Sequence, residues 1–218
     1  MTAKQRADHI YIPSLSILTV ARIWPMDRDK RTYQAAKRTP RPLDPKRFEE
    51  MALAYVARFA TTAAKLEVYL KRKLRERGWE EGEPEPDIPA LIDRFVAYGY
   101  VDDESYARAK RNSLLRKGYG PRRVSQALGA AGIAEDVRED LTPSVSRQRH
   151  AILAMARKKR FGPFGREEPD MARRSKQLAS LLRAGHSLDN AREIINAQTM
   201  ESAEEWAAEM DDEHLGRE

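Results

Sequence analysis

Four histidines are the first candidates for chemistry in this chain of 218 residues, and His9, His150, His186 and His214 lie far apart. None has a histidine four residues on, and there is no HExxH, so no metal site is expected. The chain has no cysteine, which excludes disulfides, thiolate zinc sites and thiol nucleophiles. There is no phosphate-cradling GxxxxGKS/T, no GxGxxG after a strand and no GxSxG. Carboxylates gather in "EPEPD" (83–87) and "DDE" (102–104), but the first lies in a connector and the second reads as a helix cap. Nothing assembles a nucleophile, a base and an orienting group, so no enzyme activity, cofactor or small-molecule substrate is expected, and the chain reads as a binding protein.

Anion binding is the chemistry the residue types do support. Net charge is +6, unevenly spread: residues 201–218 hold eight acids and one base, which leaves +13 on residues 1–200. From Ser105 to Ala134 there is no acid, against Arg108, Lys110, Arg111, Arg116, Lys117, Arg122 and Arg123. From Leu141 to Arg166 there is again none, and that stretch carries Arg157, Lys158 and Lys159 among seven bases. Such runs suit a polyanion or an acidic protein surface, or else a solvated helix face. In "GYGPRRVSQALGAAGI" (118–133), Arg122 and Arg123 fall in the first turn of a helix begun by Pro121, where cations oppose the helix dipole. An anion meeting these side chains would account for that placement. Base reading in a groove wants side chains such as Asn or Gln in register, usually from a dimer. Gln126 alone offers this and no dimer seam is visible, so a monomer with an electrostatic grip is the expectation.

The elements that must position these cations are helical. Asp44-Pro45 is an N-cap followed by an N1 proline. Phe48, Met51, Ala52, Tyr55, Val56 and Phe59 then make one apolar stripe. Thr61 or Thr62 opens a second helix that Gly78 ends. Ile88, Leu91, Ile92, Phe95 and Val96 mark a third, Asp102 or Asp103 caps a fourth through about Lys117, and Pro121 to Ala131 is a fifth. Further helices are expected near 134–141, 146–160, 170–184 and 188–197, with "FGPFG" (161–165) as an irregular hinge and no strand. "LRERG", "LGAAG" and "LLRAG" each place Leu four residues before a Gly, and these glycines are 54 and 53 residues apart. Three tandem three-helix repeats follow, stacked as an elongated, curved all-α array. The expected organisation is a flexible basic leader over 1–44, repeats over 45–86, 87–133 and 134–199, and an acidic tail over 200–218. Met26 is a candidate native start, since residues 1–25 share nothing with the rest. No apolar run reaches the roughly 18 residues of a membrane helix, and a cytoplasmic location is expected.

Three blocks also carry a family resemblance: "LEVYLKRKLRERGW", "LIDRFVAYGYVDDESYARAKRNSLLRKGYGPRRVSQALGAAGI" and "KQLASLLRAGHSLDNAREII". The chain resembles the RecX family of RecA regulators over roughly residues 48–197. The matching positions of the central motif are Gly99, Asp102, Asp103, Tyr106, Ala107, Gly118, Gly120, Arg123, Val124, Leu128, Gly132 and Ile133. The resemblance implies three helical repeats and binding in the groove of the RecA filament on single-stranded DNA. It also implies inhibition of ATP hydrolysis, strand exchange and co-protease activity, hence control of recombination and the SOS response. It carries no catalytic residues. Leader, tail and the insertion "FGPFGREEPD" (161–170) depart from the pattern. The basic-face contacts expected are Arg108, Lys110, Arg111, Arg116, Lys117, Arg122, Arg123, Arg157, Lys158 and Lys159, facing the filament and in part the nucleic acid itself. Two other readings are a helical protein that binds DNA or RNA independently of a recombinase, and a helical adaptor whose acidic tail recruits a basic partner.

Overall fold

Capping chemistry sets where the helices begin. A computed structural model describes residues 41–210; the leader, Met26 included, lies outside the described residues apart from 41–44, as do residues 211–218 of the tail. Helix α1 (Pro45–Arg58) starts at Asp44, whose carboxylate accepts the Arg47 N–H at 2.7 Å. Thr62 and Asp87 do the same for α2 (Ala63–Arg77) and α3 (Ile88–Ala97). Asp102 caps α4 (Asp103–Arg116), and the Ser105 backbone N–H it accepts holds its carboxyl below the usual range. Next come α5 (Pro121–Gly129), α6 (Glu135–Asp140), α7 (Val145–Lys159), α8 (Met171–Arg183), α9 (Leu188–Asn196) and α10 (Met200–Ala208). Among the described residues there is no strand; Leu43 and Trp79 form a lone parallel bridge.

Three separate apolar cores sort these helices into three trios, the third of which also takes in α10. The first buries Leu43, Phe48, Leu66, Leu70, Ile92 and Phe95 from α1, α2 and α3. The second joins Ala107, Leu115, Val124, Leu128 and Leu141 from α4, α5 and the end of α6. The third holds Ile152, Leu181, Ile194 and Ala203 from α7 to α10. Helix α7 belongs to two cores, because Ala151 faces the second and Ile152 the third. The units therefore fall in a different frame from the expected one: α3 packs with α1 and α2, and α6 with α4 and α5. The physical reason is that each Leu-x-x-x-Gly ends the second helix of a trio (α2, α5 and α8), not the third.

Two further expectations are revised. The expected acidic tail over 200–218 is a helix in its first half: α10 is capped reciprocally by Thr199 and Ser202, and Ala203 and Ala207 are buried in the third core. The segment 161–165, expected as an irregular hinge, is partly regular. It forms a 3-10 turn, Gly162–Phe164, anchored by the Gly162 N–H donating to Gln177 Oε1 at 3.1 Å and by Phe161 and Phe164 against the third core.

Candidate nucleic-acid interface

The segment that carries Arg122 and Arg123 is first of all a joint. Gly120 gives α5 no side-chain cap. Its orphan N–H groups go instead to the end of α8: Gly120 N–H donates to Ala184 O at 2.9 Å and Arg122 N–H to Gly185 O at 3.2 Å. A Cβ on Gly185 would overlap the Arg123 backbone, so the two helix ends could not approach so closely with any other residue there. Beside them His186 is buried, and its Nε2 lies 3.0 Å from Gly118 O. A carbonyl only accepts, so Nε2 carries the proton and the buried Nδ1 is left unpartnered. Burial pushes the imidazole pKa down, partly opposed by that hydrogen bond. The carbonyl end of α8 carries partial negative charge. The first-turn arginines of α5 thus sit next to a negative pole that no local pattern displays, while their side chains remain exposed.

Around this joint the cations line two clefts at the end of α4. One is walled by Arg116, Arg147, His150, Asn112 and the α7 alanines 151 and 154. The other, about 320 Å3, is walled by Lys117, Tyr119, Lys158, Lys159, Ser180 and Arg183. No carboxylate lines either one. Among the described residues no acid lies within ion-pairing distance of Lys117, Lys158, Lys159 or Arg183, although Lys159 Nζ donates to Ser180 Oγ at 3.2 Å. Arg111 faces like charge: burial, then Arg147 and Arg108, lower its guanidinium pKa. Guanidinium stays charged at any working pH, so Arg111 and Arg147 are neighbouring fixed cations, with Arg108 beside them paired to Glu104. An arrangement of this kind holds phosphates or carboxylates and performs no proton transfer.

Of the residues singled out in the sequence, the fold brings Arg116, Lys117, Lys158 and Lys159 to these clefts. Arg122 and Arg123 flank the joint, and Lys110 is exposed on α4. Two are engaged elsewhere. Arg157 pairs with Glu204 of α10 and covers the Phe164 ring, and Arg108 pairs with Glu104 one turn earlier at 2.9 Å. Sequence reading missed Arg147, Tyr119 and Arg183; the first two lie within the basic and Gly-rich stretches, but nothing local ties Arg183 to Lys158. Among the described residues no group of His, Asp or Glu could hold a metal ion, and no helix is long and apolar enough to cross a membrane.

Comparison with known proteins agrees with this architecture. The family model described as RecX, second three-helix domain, matches residues 102–141, the span of α4 to α6. Regulatory protein RecX of Myxococcus xanthus is 35% identical over 179 residues, covering 78% of this chain and 94% of that protein. Regulatory protein RecX of Agrobacterium fabrum is 31% identical over 150 residues, 66% of this chain and 78% of that one. The crystal structure of RecX from Lactobacillus salivarius shares the fold with a TM-score of 0.54 at 21% identity, over 69% of this chain and 93% of that one. These relatives are named as regulatory proteins, not as enzymes. With three helical cores in series, a matching central trio and this level of identity to Myxococcus RecX, the chain belongs to the RecX family.

Proposed function

We propose that this protein, acting as a monomer, restrains RecA by lying along the RecA–single-stranded DNA filament with the basic clefts of its second and third units against anionic groups. DNA phosphates or RecA carboxylates fill the clefts. Binding that favours one arrangement of RecA protomers shifts the filament between active and inactive states. Occupying the groove also keeps duplex DNA out. ATP hydrolysis, strand exchange and co-protease activity fall together. The observation that supports this reading is the pair of carboxylate-free clefts beside the α5–α8 joint.

The test is a titration of the recombinase's DNA-dependent ATPase with wild type and with Lys117→Glu/Lys158→Glu/Lys159→Glu, all three positions being exposed. The triple variant keeps its helical content and loses about tenfold in inhibitory potency, since three exposed contacts at about 0.5 kcal/mol each add up to that factor. Wild-type binding weakens with salt, log K falling by roughly 0.7 per phosphate contact for each tenfold rise in salt on a single strand. A folded triple variant that inhibits like wild type overturns the assignment. The same clefts also favour a second reading, direct binding of DNA or RNA without a recombinase. Tighter binding to naked single-stranded DNA than to the ATP-bound filament selects it.

A further inference from the structure

A second surface, at the junction of the first and second units, has different chemistry. Tyr55 of α1 and Tyr69 of α2 stack with ring centroids 4.0 Å apart and planes 14° apart. Phe59 continues the run, 5.4 Å from Tyr55. Phe59 is 51% exposed and lies outside the first core, so its burial contributes little to folding. Cations cover the ends of this run: the Arg58 guanidinium is 5.6 Å from the Phe59 centroid, and Arg72 and Lys73 are 5.7 and 5.9 Å from that of Tyr69. The adjoining groove, about 520 Å3, is walled by Tyr55, Lys65, Val68, Tyr69 and Arg72 and floored by the backbone of 129–132. Val68 is 66% exposed, and no carboxylate lines the groove. Glu76 is the nearest acid paired with these cations; it takes Lys73 at 2.5 Å and reaches Arg72 only at 3.8 Å.

Aromatic faces interleaved with cations, next to a groove without acids, are what a single-stranded nucleic acid needs: bases stack on rings while phosphates meet cations. We infer that the Phe59–Tyr55–Tyr69 run with its groove is a base-stacking site for single-stranded nucleic acid, with phosphates held by Arg58 and Arg72, since the Lys65 ammonium is bonded to the Tyr106 hydroxyl. The two tyrosines already cover each other, so bases add at the ends of the run, on Phe59 and on the outer face of Tyr69, where they take the ring faces from the Arg58 and Arg72 guanidinium groups and those groups turn to the phosphates. Every base has a flat face, so the site takes any sequence. It goes beyond the filament reading, which places only charge contacts and places them on the second and third units.

The test compares binding of the full chain to a fluorescent oligo-dT and to an abasic strand with the same number of phosphates. Wild type prefers the dT strand by at least about fivefold, the lower end for one base stacked on an aromatic ring. Phe59→Ala and Tyr69→Ala, separately and together, bring that preference toward one and leave abasic affinity and salt slope unchanged. Tyr69→Phe keeps it. Should Tyr69→Ala lose helical structure, Phe59→Ala alone decides, because its exposed ring can be removed without opening the core. Equal affinity of wild type for both strands overturns the inference, and so does a folded Phe59→Ala/Tyr69→Ala variant that still prefers dT. The cleft reading fails on another measurement, the ATPase titration of the lysine variants, so either can fall alone.

Discussion

The two joints between successive units solve one problem in two ways. At each, the second helix of one trio points its N-terminus at the C-terminal end of the second helix of the next. Between the first and second units side chains make the bonds: Thr62 Oγ1 donates to Ala131 O at 2.6 Å, and Asp103 Oδ1 accepts the Ala63 N–H at 2.9 Å. Between the second and third units backbone meets backbone, through Gly120 and Arg122 N–H to Ala184 and Gly185 O, with His186 bonded alongside. Both joints depend on a glycine at the docking end. A Cβ on Gly132 would overlap Ala64, and one on Gly185 would overlap Arg123. Gly78, the corresponding glycine of the first unit, meets nothing within 4 Å; Leu43 pairs with its carbonyl instead. The repeat of Leu-x-x-x-Gly is thus one motif with two jobs. It ends a helix everywhere, and it permits stacking only where another unit precedes it.

Glycine substitutions should separate those jobs most sharply. Gly185→Ala combines a φ of +94° with overlap against a backbone, and should destabilise the chain by about 3 kcal/mol or more. Gly78→Ala, at φ +77° with open space around it, should lose only about 1 kcal/mol. Urea unfolding of both variants reads the difference, and equal losses would show that the joint places no demand on Gly185. Next in size is Thr62→Val, which keeps the shape, strands the buried Ala131 carbonyl and removes the α2 cap on the Lys65 N–H. About 1–3 kcal/mol should go, and at the other joint the counterpart is the His186 bond to the Gly118 carbonyl.

The smallest effect is confined to a pH window. His186 has its folded-state pKa below the ordinary 6.5, because burial disfavours the imidazolium. The unfolded chain therefore binds the extra proton first. Stability from this group is complete above about pH 6.5 and fades as pH falls from there through the lower folded value. Thermal melts of wild type should show that loss, and His186→Asn should flatten it. An unchanged pH profile in the variant would locate the titration elsewhere.

Most helix ends were legible because their causes are local. Asp44-Pro45, Thr62 and Gly78 act within one turn of the residues they cap. In the sequence α10 reads only as acidic tail, because Ala203, Ala207 and Trp206 are a thin stripe among glutamates. What docks it comes from elsewhere in the chain: Arg149 lies over the Trp206 ring and pairs with Glu209 at 3.0 Å, and Arg157 pairs with Glu204. The same pairing withdrew Arg157 from the expected basic face, because a charge run says nothing about distant acids that fold back on it. Arg183 leaves no mark in the sequence for the converse reason: it meets Lys158 and Lys159 only because α7 and α8 pack into one core.

By itself the amino-acid order determined an all-helical chain, the positions of its caps, the near-equal spacing of three glycine ends and two basic stretches free of acid. These follow from interactions reaching at most four residues along the chain. Tertiary structure alone decided which helices share a core, which cations are paired and which line a cleft, and that first-turn arginines meet the carbonyl end of another helix. Those outcomes rest on backbone groups that every residue carries and on partners tens of residues away, and neither leaves a mark in local residue type.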